Sequence, residues 1–265
     1  MDAVAAIPVE KLSWSRISIY RDCPRRFRYR YVERVPEERV SAALPFGGAF
    51  HQAAERIAEA RMAGWSIPSV EVLAGEYERA WRESVKRAPA LQYAKGEDEA
   101  TLRATAHRML EAYLEFALTE SGQVLAIEQE ARFAVGGVPM VARLDLVELR
   151  GDELVVTDLK TAKSIWNANK IREAMPQLVA YAYAVVPFVE ALGVKRIKPR
   201  FIVITKAKQP KVQVLEPVAT ADDAKRLKEL VQETAKGVCA EVFPRHEGWQ
   251  CAQCAFREEC LGKDL

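Results

Sequence analysis

Two carboxylates and a lysine on neighbouring stretches of the sequence are the side chains best suited to chemistry. Asp145 lies in "ARLDLVE", and Asp158 and Lys160 lie in "VVTDLKTAK". The β-branched residues and the alternation of both stretches predict β-strands, so Lys160, two residues beyond Asp158, projects from the same strand face. Carboxylates and an ammonium group in an otherwise apolar sheet must be paired or bind a metal.

Two converging carboxylates suit a divalent cation that activates water for attack on a phosphodiester. The lysine can orient that water or stabilise the charge that develops during the reaction. The alternative is an ordinary surface ion pair between Asp158 and Lys160, because a D-x-K sequence arises often by chance.

Cysteines form a second group with chemical potential. Three of the five cysteines fall in "CAQCAFREEC" with C-x₂-C-x₅-C spacing, at positions Cys251, Cys254 and Cys260. Such spacing is typical of thiolate ligands to zinc or to an iron–sulfur cluster, and both normally need a fourth ligand. The candidates for that ligand are Cys23, Cys239 and His246.

The composition is that of an ordinary soluble protein. The chain has 265 residues, 49% of them hydrophobic and 29% charged, with a formal net charge of +2. No signal peptide and no apolar stretch of roughly 20 residues is present, so we expect a cytoplasmic protein with no membrane partner. Thiols stay reduced in the cytoplasm, which favours metal binding over disulfides. The sequence contains no phosphate-binding loop of an ATP-driven motor.

Helices are predicted before the strands. A short helix capped by Ser15 leads to Cys23, and the glycine pair in "PFGGAFHQAAERIAEARMAG" opens a helix that carries His51 and ends near Gly64. Two amphipathic helices are expected at about 69–86 and 100–121.

The residue pattern in the second half of the sequence predicts a β-sheet. Three strands are separated by Gly136-Gly137 and by Gly151-Asp152, and a helix is expected to open at Pro176 and to run to about Val186. A further hairpin and a helix capped by Thr220 precede the cysteine tail. Together these elements predict an α/β protein with a central mixed sheet flanked by helices and a helical insertion.

The motifs in this order resemble the RecB-like nuclease branch of the PD-(D/E)xK superfamily. That branch has a glycine-led helix with a histidine, a strand ending in aspartate, a D-x-K-T strand and a helix with Q-x-x-x-Y. Here these elements are "GGAFH", "ARLD", "DLKT" and "QLVAY". Ala142 and Ala162 stand where the family often has glycine, and neither change removes a functional side chain.

The resemblance implies a restriction-endonuclease-like core and a role for each matching residue. It implies Mg²⁺ or Mn²⁺ held by His51, Asp145, Asp158 and the backbone carbonyl of Leu159. Lys160 would then be the catalytic lysine, with Gln177 and Tyr181 orienting it or the DNA. Glu55, one turn after His51, could support the site or could equally be a solvated helix residue.

A subset of this branch, including AddB-type and CRISPR-adaptation nucleases, holds a [4Fe–4S] cluster with one upstream and three downstream cysteines. "CPRRFRYRY" resembles its upstream signature, which implies Cys23 as the fourth ligand beside Cys251, Cys254 and Cys260. The cluster would clasp segments at about 13–34 and 239–265. The resemblance implies one nuclease domain over residues 1–265, with a helical insertion at about 65–122.

We therefore expect a metal-dependent DNA nuclease, with an exonuclease acting on DNA ends or single strands favoured. The alternatives are a structure-specific endonuclease of the same fold, a non-catalytic DNA-binding scaffold for recombination or repair, and a zinc-stapled protein unrelated to DNA. Any unwinding would come from a separate helicase or recombination partner. The arginine- and aromatic-rich run after Cys23 predicts either phosphate contacts with base stacking, or packing of its rings beneath the cluster.

Overall fold

Helices and strands alternate over residues 11–262, the part of the chain that the computed structural model describes; residues 1–10 and 263–265 of the predicted domain lie outside it. The strands are β1 Arg39–Ser41, β2 Ala90–Gln92, β3 Gln123–Val135, β4 Val138–Arg150, β5 Glu153–Ala162, β6 Arg196–Thr205 and β7 Val212–Leu215. The helices are α1 Trp14–Asp22, α2 Pro24–Phe27, α3 Ala43–Ala63, α4 Val70–Arg87, α5 Glu99–Ala117, α6 Ala168–Val189, α7 Ala221–Cys239 and α8 Arg257–Leu261. A π-helical turn at Arg28–Glu33 follows α2, and a 3-10 helix at Trp249–Gln253 precedes α8.

Strands β3 to β7 form a five-stranded mixed sheet in sequential order. β3, β4 and β5 are antiparallel neighbours, β5 and β6 run parallel through the crossover helix α6, and β6 and β7 form an antiparallel hairpin. The predicted central mixed sheet flanked by helices is therefore confirmed, together with the three-strand meander and the later hairpin.

The turn between β3 and β4 sets the register of the meander. Gly136 and Gly137 both have positive φ, 58° and 82°, as in the type I′ turn that joins antiparallel strands through two residues. Only glycine adopts both conformations at little cost. Val135 consequently pairs with Val138, and the partners as far as Ala126 and Val147 follow by counting outward from the turn, before the register shifts between Ala126 and Val124.

The two faces of the sheet are covered by different helices. α3, α4 and α5 pack on one face and share a core with β5 and β6, which includes Phe46, Phe50, Trp81, Leu110, Leu159 and Ile202. α6 covers the opposite face through Leu178, Tyr181, Ala184 and Val185. α7 and the N-terminal segment close the end of that layer beside Met140 and Val179.

The predicted helical insertion at about 65–122 contains α4 and α5. Both helices pack on α3, and the short strand β2 between them pairs in parallel with β1. No helix among residues 11–262 is both long and apolar enough to span a bilayer.

Helix α6 begins two turns earlier than the sequence predicts. It starts at Ala168 rather than at Pro176, because the side chain of Asn167 accepts a hydrogen bond from Lys170 N and caps the helix. Pro176 lies inside the helix. A proline removes one intrahelical hydrogen bond, and the apolar face packed against the sheet keeps the helix continuous on both sides of it.

Two other predicted helix starts are also wrong. α3 begins at Ala43, so Gly47 and Gly48 lie inside the helix rather than at its opening. Its first turns are stabilised by burial of apolar residues in the core rather than by a side-chain cap. α1 is capped by Ser13, whose hydroxyl accepts from the backbone of the first turn, and not by Ser15.

The N-terminal segment pairs with the part of β4 that β5 leaves free. Leu12 N–H donates to Pro139 O at 3.1 Å, and Val141 N–H donates to Leu12 O at 2.8 Å. The Leu12 side chain is fully buried. This short pairing fixes the start of α1 beside β4.

A buried charged network connects the sheet to α3 on the face opposite α6. The Arg200 guanidinium contacts Glu148 at 2.8 Å, Glu120 at 2.7 Å and the Thr157 hydroxyl at 2.6 Å. Arg61 of α3 contacts the other carboxylate oxygen of Glu148 at 2.7 Å. Glu148 and Arg200 are almost completely buried, so each depends on the others for its charge compensation.

We predict that Arg200→Met lowers the free energy of unfolding by about 3 kcal/mol, because it leaves Glu148 buried with part of its charge compensation removed. Urea denaturation of the two proteins measures the difference. The matched control is Arg196→Met on the same strand. Its side chain is 65% exposed and pairs with Asp152 and Glu153, so a loss of no more than about 1 kcal/mol is expected. Equal losses in both variants would contradict the prediction.

Candidate active site

The two aspartates singled out in the sequence lie where two strands separate. Pairing between β4 and β5 ends at Leu146 and Thr157, so Asp145 and Asp158 are the first residues beyond the last pair. From there β4 stays beside β3, while β5 stays beside β6. The divergence opens a cleft, and both carboxylates line it.

Asp158 is buried and held mainly from one side. Its Oδ1 accepts hydrogen bonds from Gln177 Nε2 at 2.7 Å and from the Tyr181 hydroxyl at 2.8 Å. Lys160 Nζ lies 2.7 Å from Oδ2, yet Oδ2 has no aligned hydrogen bond with any described residue. Helix α6 therefore fixes the carboxylate and leaves one buried oxygen facing Lys160.

Asp145 is held from the other side of the cleft. Leu159 N–H donates to Asp145 Oδ2 at 2.8 Å, and His51 Nδ1 of α3 lies 3.6 Å from the same oxygen. Glu128 of β3 joins this group, because ligand atoms of His51, Glu128 and Asp145 lie within 4.8 Å of one another. Among the described residues this is the group of histidine and carboxylate atoms close enough together to hold a metal ion.

Glu128 was not among the residues singled out in the sequence. Strand alternation gives no reason to prefer it to Glu130, since both side chains would share one face of a regular strand. Counting outward from the Gly136-Gly137 turn does identify it, because the register that pairs Gln129 with Leu144 places Glu128 opposite Asp145.

The backbone at Glu128 is strained. Its φ of 49° is left-handed, a conformation that costs a non-glycine residue about 1–2 kcal/mol. Such strain concentrates at functional sites. In this protein the strained residue in β3 is the one whose carboxylate lies beside His51 and Asp145.

Burial determines the protonation of the site. It lowers the pKa of His51 to about 4, so the imidazole is neutral at physiological pH and has a nitrogen lone pair for a metal. Burial, together with the negative charge of Asp158, raises the pKa of Asp145. Burial and the neighbouring aspartates also raise the pKa of Tyr181, so its hydroxyl remains a proton donor to Asp158.

The residues present fit a divalent cation. They combine carboxylate oxygens with one neutral imidazole nitrogen, a set that suits Mg²⁺ or Mn²⁺. A positive ion would relieve the repulsion between the Asp145 and Asp158 carboxylates and would give Asp158 Oδ2 a partner besides Lys160 Nζ. The compact group contains Glu128 besides His51 and Asp145, which the sequence predicts as ligands, and it does not include the predicted ligand Asp158.

Glu55 lies beside this group on α3. It lines a small pocket together with His51, Glu128 and Asp145. Burial raises the pKa of Glu55, and the negative charge of Glu128 raises it further. The geometry therefore places Glu55 next to the predicted ligands, in keeping with a supporting position rather than a fully solvated one.

A cleft of ≈ 510 Å³ gives access to the carboxylates. Besides the two aspartates it is lined by His51, Lys160, Gln177, Tyr181, Ser13, Trp14, Glu130 and Arg143. All six side chains that the sequence predicts for the metal and catalytic groups, apart from the backbone contribution of Leu159, thus line one cleft between helices and strands. The pairing of Leu12 with β4 brings Trp14 to the rim.

The cysteines lie where the two ends of the described chain meet. Burial raises the pKa of the Cys260 thiol, and the nearby thiols of Cys23 and Cys254 raise it further. Cys251 Sγ lies 3.8 Å from His246 O. No three of the cysteine sulfurs come within 4.8 Å of one another, so they do not form the compact set that a single zinc ion with Zn–S bonds of about 2.3 Å needs.

The segments that carry these cysteines contact each other directly. Arg25 N–H donates to Pro244 O at 3.1 Å, and Glu38 N–H donates to Ala255 O at 2.9 Å. The ring of Tyr29 packs against Phe256 with centroids 5.8 Å apart. Contact between the N-terminal and C-terminal segments therefore exists in the protein fold itself.

The aromatic residues after Cys23 serve this contact. Phe27 is fully buried and packs against Phe243, and Tyr29 is also buried, so neither ring is available to stack on bases. Arg28 and Arg30 form ion pairs with glutamates of the same segment. Of the two predicted roles for this run, the packing of its rings is the one that the geometry favours.

We predict that Glu128→Gln weakens binding of Mn²⁺ by at least about tenfold, because it removes a negative ligand atom beside His51 and Asp145. Isothermal titration calorimetry of the metal-free protein measures the affinity. Glu130→Gln is the matched control: it lies two residues along the same strand with a half-exposed side chain that contacts Lys11, and its affinity should match that of the parent. An unchanged affinity in Glu128→Gln would remove this residue from the site.

Known proteins and structures provide an independent comparison. Residues 11–261 match the model of the PD-(D/E)XK nuclease superfamily. The crystal structure described as "Putative exonuclease" from Eubacterium rectale superposes with a TM-score of 0.58 at 14% identity, covering 95% of this chain and 89% of that one. The structure of SSO0001 reaches a TM-score of 0.37 at 15% identity and covers 86% of this chain and 88% of that one. No curated protein sequence gives a significant match. The family match covers nearly the whole chain, and the protein belongs to the PD-(D/E)XK nuclease superfamily.

Proposed function

We propose that the protein is a divalent-metal-dependent deoxyribonuclease that hydrolyses phosphodiester bonds at DNA ends or in single strands. The observation that carries the proposal is the pair of aspartates at the separation of β4 and β5, with Lys160 beside the buried Asp158 and His51 beside the partly buried Asp145. A scaffold that only binds DNA has no need of a buried aspartate paired with a lysine beside a second aspartate and a histidine.

Each side chain has a definite part in the proposed chemistry. His51, Asp145, Asp158 and the Leu159 carbonyl, with Glu128 added from the geometry, would hold Mg²⁺ or Mn²⁺. The bound cation supplies a Lewis acid that lowers the pKa of water and neutralises charge on the phosphate.

The protein supplies the positioning. Gln177 and Tyr181 hold Asp158 by two hydrogen bonds and so fix the carboxylate relative to Asp145. Lys160 Nζ, 2.7 Å from Asp158 Oδ2, can orient the attacking water and stabilise negative charge on the phosphate oxygens.

Exonuclease action is the form of the proposal that we favour. The motif order resembles RecB-like nucleases, and the Eubacterium rectale protein of similar fold is described as an exonuclease. Unwinding of duplex DNA would be the task of a separate helicase or recombination partner, and the reaction would take place in the cytoplasm. A structure-specific endonuclease is the other outcome that the product analysis below distinguishes.

We also propose that Cys23, Cys251, Cys254 and Cys260 hold a [4Fe–4S] cluster. The support is chemical: three of these thiols lie near enough to influence one another, and the segments that carry them are already in contact. A cluster spreads its four thiolates over several irons, whereas one zinc ion needs a tighter set than these sulfurs form. The cluster would close a loop of more than two hundred residues and stabilise the fold.

We predict that Asp158→Asn and Lys160→Ala each lower the rate of DNA cleavage by about 10²–10⁴-fold, since each removes a group that acts at the reacting phosphate. The measurement is digestion of DNA labelled at the 5′ or 3′ end, single- and double-stranded, with Mg²⁺ or Mn²⁺. Mononucleotide or short products released from one end indicate an exonuclease, and discrete internal fragments an endonuclease. Asp152→Asn, in the exposed turn after β4, should cut as the parent does. Full activity in both site variants would contradict the proposal.

We predict that anaerobically purified protein is brown and contains about four irons per chain, and that Cys23→Ser loses the colour and unfolds at a lower temperature. Metal analysis, visible absorption and thermal melting measure these properties. Cys239→Ser is the control, because that residue lies at the end of α7 outside the proposed ligand set, and it should keep its iron. Colourless protein that contains zinc would contradict the cluster.

A further inference from the structure

Lys206 stands at the end of β6 on the side of the sheet that α3 covers. Its backbone N–H donates to Ala162 O at 2.7 Å, which ties it to the end of β5. Its Nζ lies 3.9 Å from the centre of the Phe46 ring of α3. The position continues the row of Ile202 and Ile204, whose side chains face α3 in the core.

Lys206 forms no close ion pair with a described residue of the protein. Within residues 11–262 no carboxylate comes within 4.0 Å of its amino group, and Glu97 attracts it only from farther away. Burial lowers the pKa of Lys206, and the positive charge of Lys163 lowers it further. The attraction by Glu97 exceeds the repulsion by Lys163. An anion bound beside the two lysines would nevertheless be attracted by both of them.

The α3 surface beside these lysines is unusually open. Gly47 and Gly48 lie inside the helix, where each costs about 1 kcal/mol relative to alanine. Neither has positive φ, a Cβ on Gly47 would make only ordinary contact with the Thr161 hydroxyl, and a Cβ on Gly48 would meet nothing within 4 Å. Packing within the described chain therefore does not require glycine at Gly48, and a closely approaching ligand is a reason for keeping the surface flat.

This surface is adjacent to the proposed metal site along both α3 and β5. Along α3, Gly47 is one turn before His51. Along β5, Thr161 is two residues, or about 7 Å, beyond Leu159. That distance is comparable to the spacing of successive phosphates along a nucleic-acid strand. Lys206 is bonded to Ala162 at this end of β5, and Lys163 follows Ala162 in the chain, so both lysines are placed on the side of the site where a neighbouring phosphate would lie.

We infer that Lys206 and Lys163, with the flat Gly47-Gly48 face of α3, bind the phosphate next to the scissile one and so position the DNA strand. This inference rests on the proposed nuclease function and names the part of the substrate that this surface takes. Phe46 beneath Lys206 holds the amino group in place through its ring. Lys206 is a positioning residue, because it contacts the strand away from the reacting atoms.

The test begins with binding of a fluorescein-labelled oligo(dT) to the metal-free protein at several salt concentrations. Lys206→Gln should weaken binding about tenfold and reduce the salt slope by about 0.7, the value for one single-strand phosphate contact. Lys206→Arg should keep the parent slope. Lys163→Gln removes an exposed side chain and should lower the slope without disturbing the packing on Phe46. Lys208→Gln, exposed in the same hairpin, is the matched control and should leave the slope almost unchanged.

Cleavage of substrates with one uncharged methylphosphonate then identifies the phosphate. Placed on one side of the scissile bond, the neutral linkage should raise KM for the parent with little change in kcat, and should add nothing further in Lys206→Gln. The inference would be overturned if the methylphosphonate and Lys206→Gln raised KM independently, so that their effects multiply, on both sides of the scissile bond. An unchanged salt slope in both lysine variants would also overturn it. If the parent cuts DNA and these variants behave as the parent does, only this inference fails. If the parent neither binds nor cuts DNA, the proposed function fails as well.

Discussion

The arrangement of this protein depends on keeping carboxylates close together in a buried place. The negative charges of Asp145 and Asp158 repel each other, and burial adds a desolvation cost to holding them close together. They stay together because each belongs to a strand whose register is fixed by a tight turn, Gly136-Gly137 on one side and Gly151-Asp152 on the other. The same counting that places Asp145 opposite Asp158 also places Glu128 opposite Asp145. The sheet thus forces a row of three acids across neighbouring strands.

The rest of the core serves to hold that row in place. α6 reaches it from one face with Gln177 and Tyr181, and α3 reaches it from the other with His51. A few residues farther along the strands, on the α3 side of the sheet, Arg200 and Glu148 form a buried ion pair. The contrast is informative. The buried charges of the Arg200–Glu148 network are paired with one another, whereas in the proposed function the acid row would be completed by a cation.

The two ends of the described chain contribute a second constraint. Phe27, Tyr29, Phe243 and Phe256 build the contact between the N-terminal and C-terminal segments from apolar surface and backbone hydrogen bonds. The contact therefore does not depend on the cysteines alone. In the proposed clasp, the four thiolates would tighten an existing junction and hold α1 against β4, where Ser13 and Trp14 form the rim of the cleft.

The sequence by itself determined the strand meander, because alternation and turn residues are local signals. The order of its motifs determined the resemblance to a nuclease family, and that resemblance implied the grouping of His51, Asp145, Asp158, Lys160, Gln177 and Tyr181. The sequence did not determine where α3 and α6 begin, since tertiary burial extends a helix through glycine and proline that local propensity would exclude. Nor did it reveal Glu128 or Lys206. Glu128 looks like Glu130 along the strand, and only its strained backbone and the folded register make it different. Lys206 is one lysine among many, and the position of its amino group over Phe46 exists only once distant elements pack together.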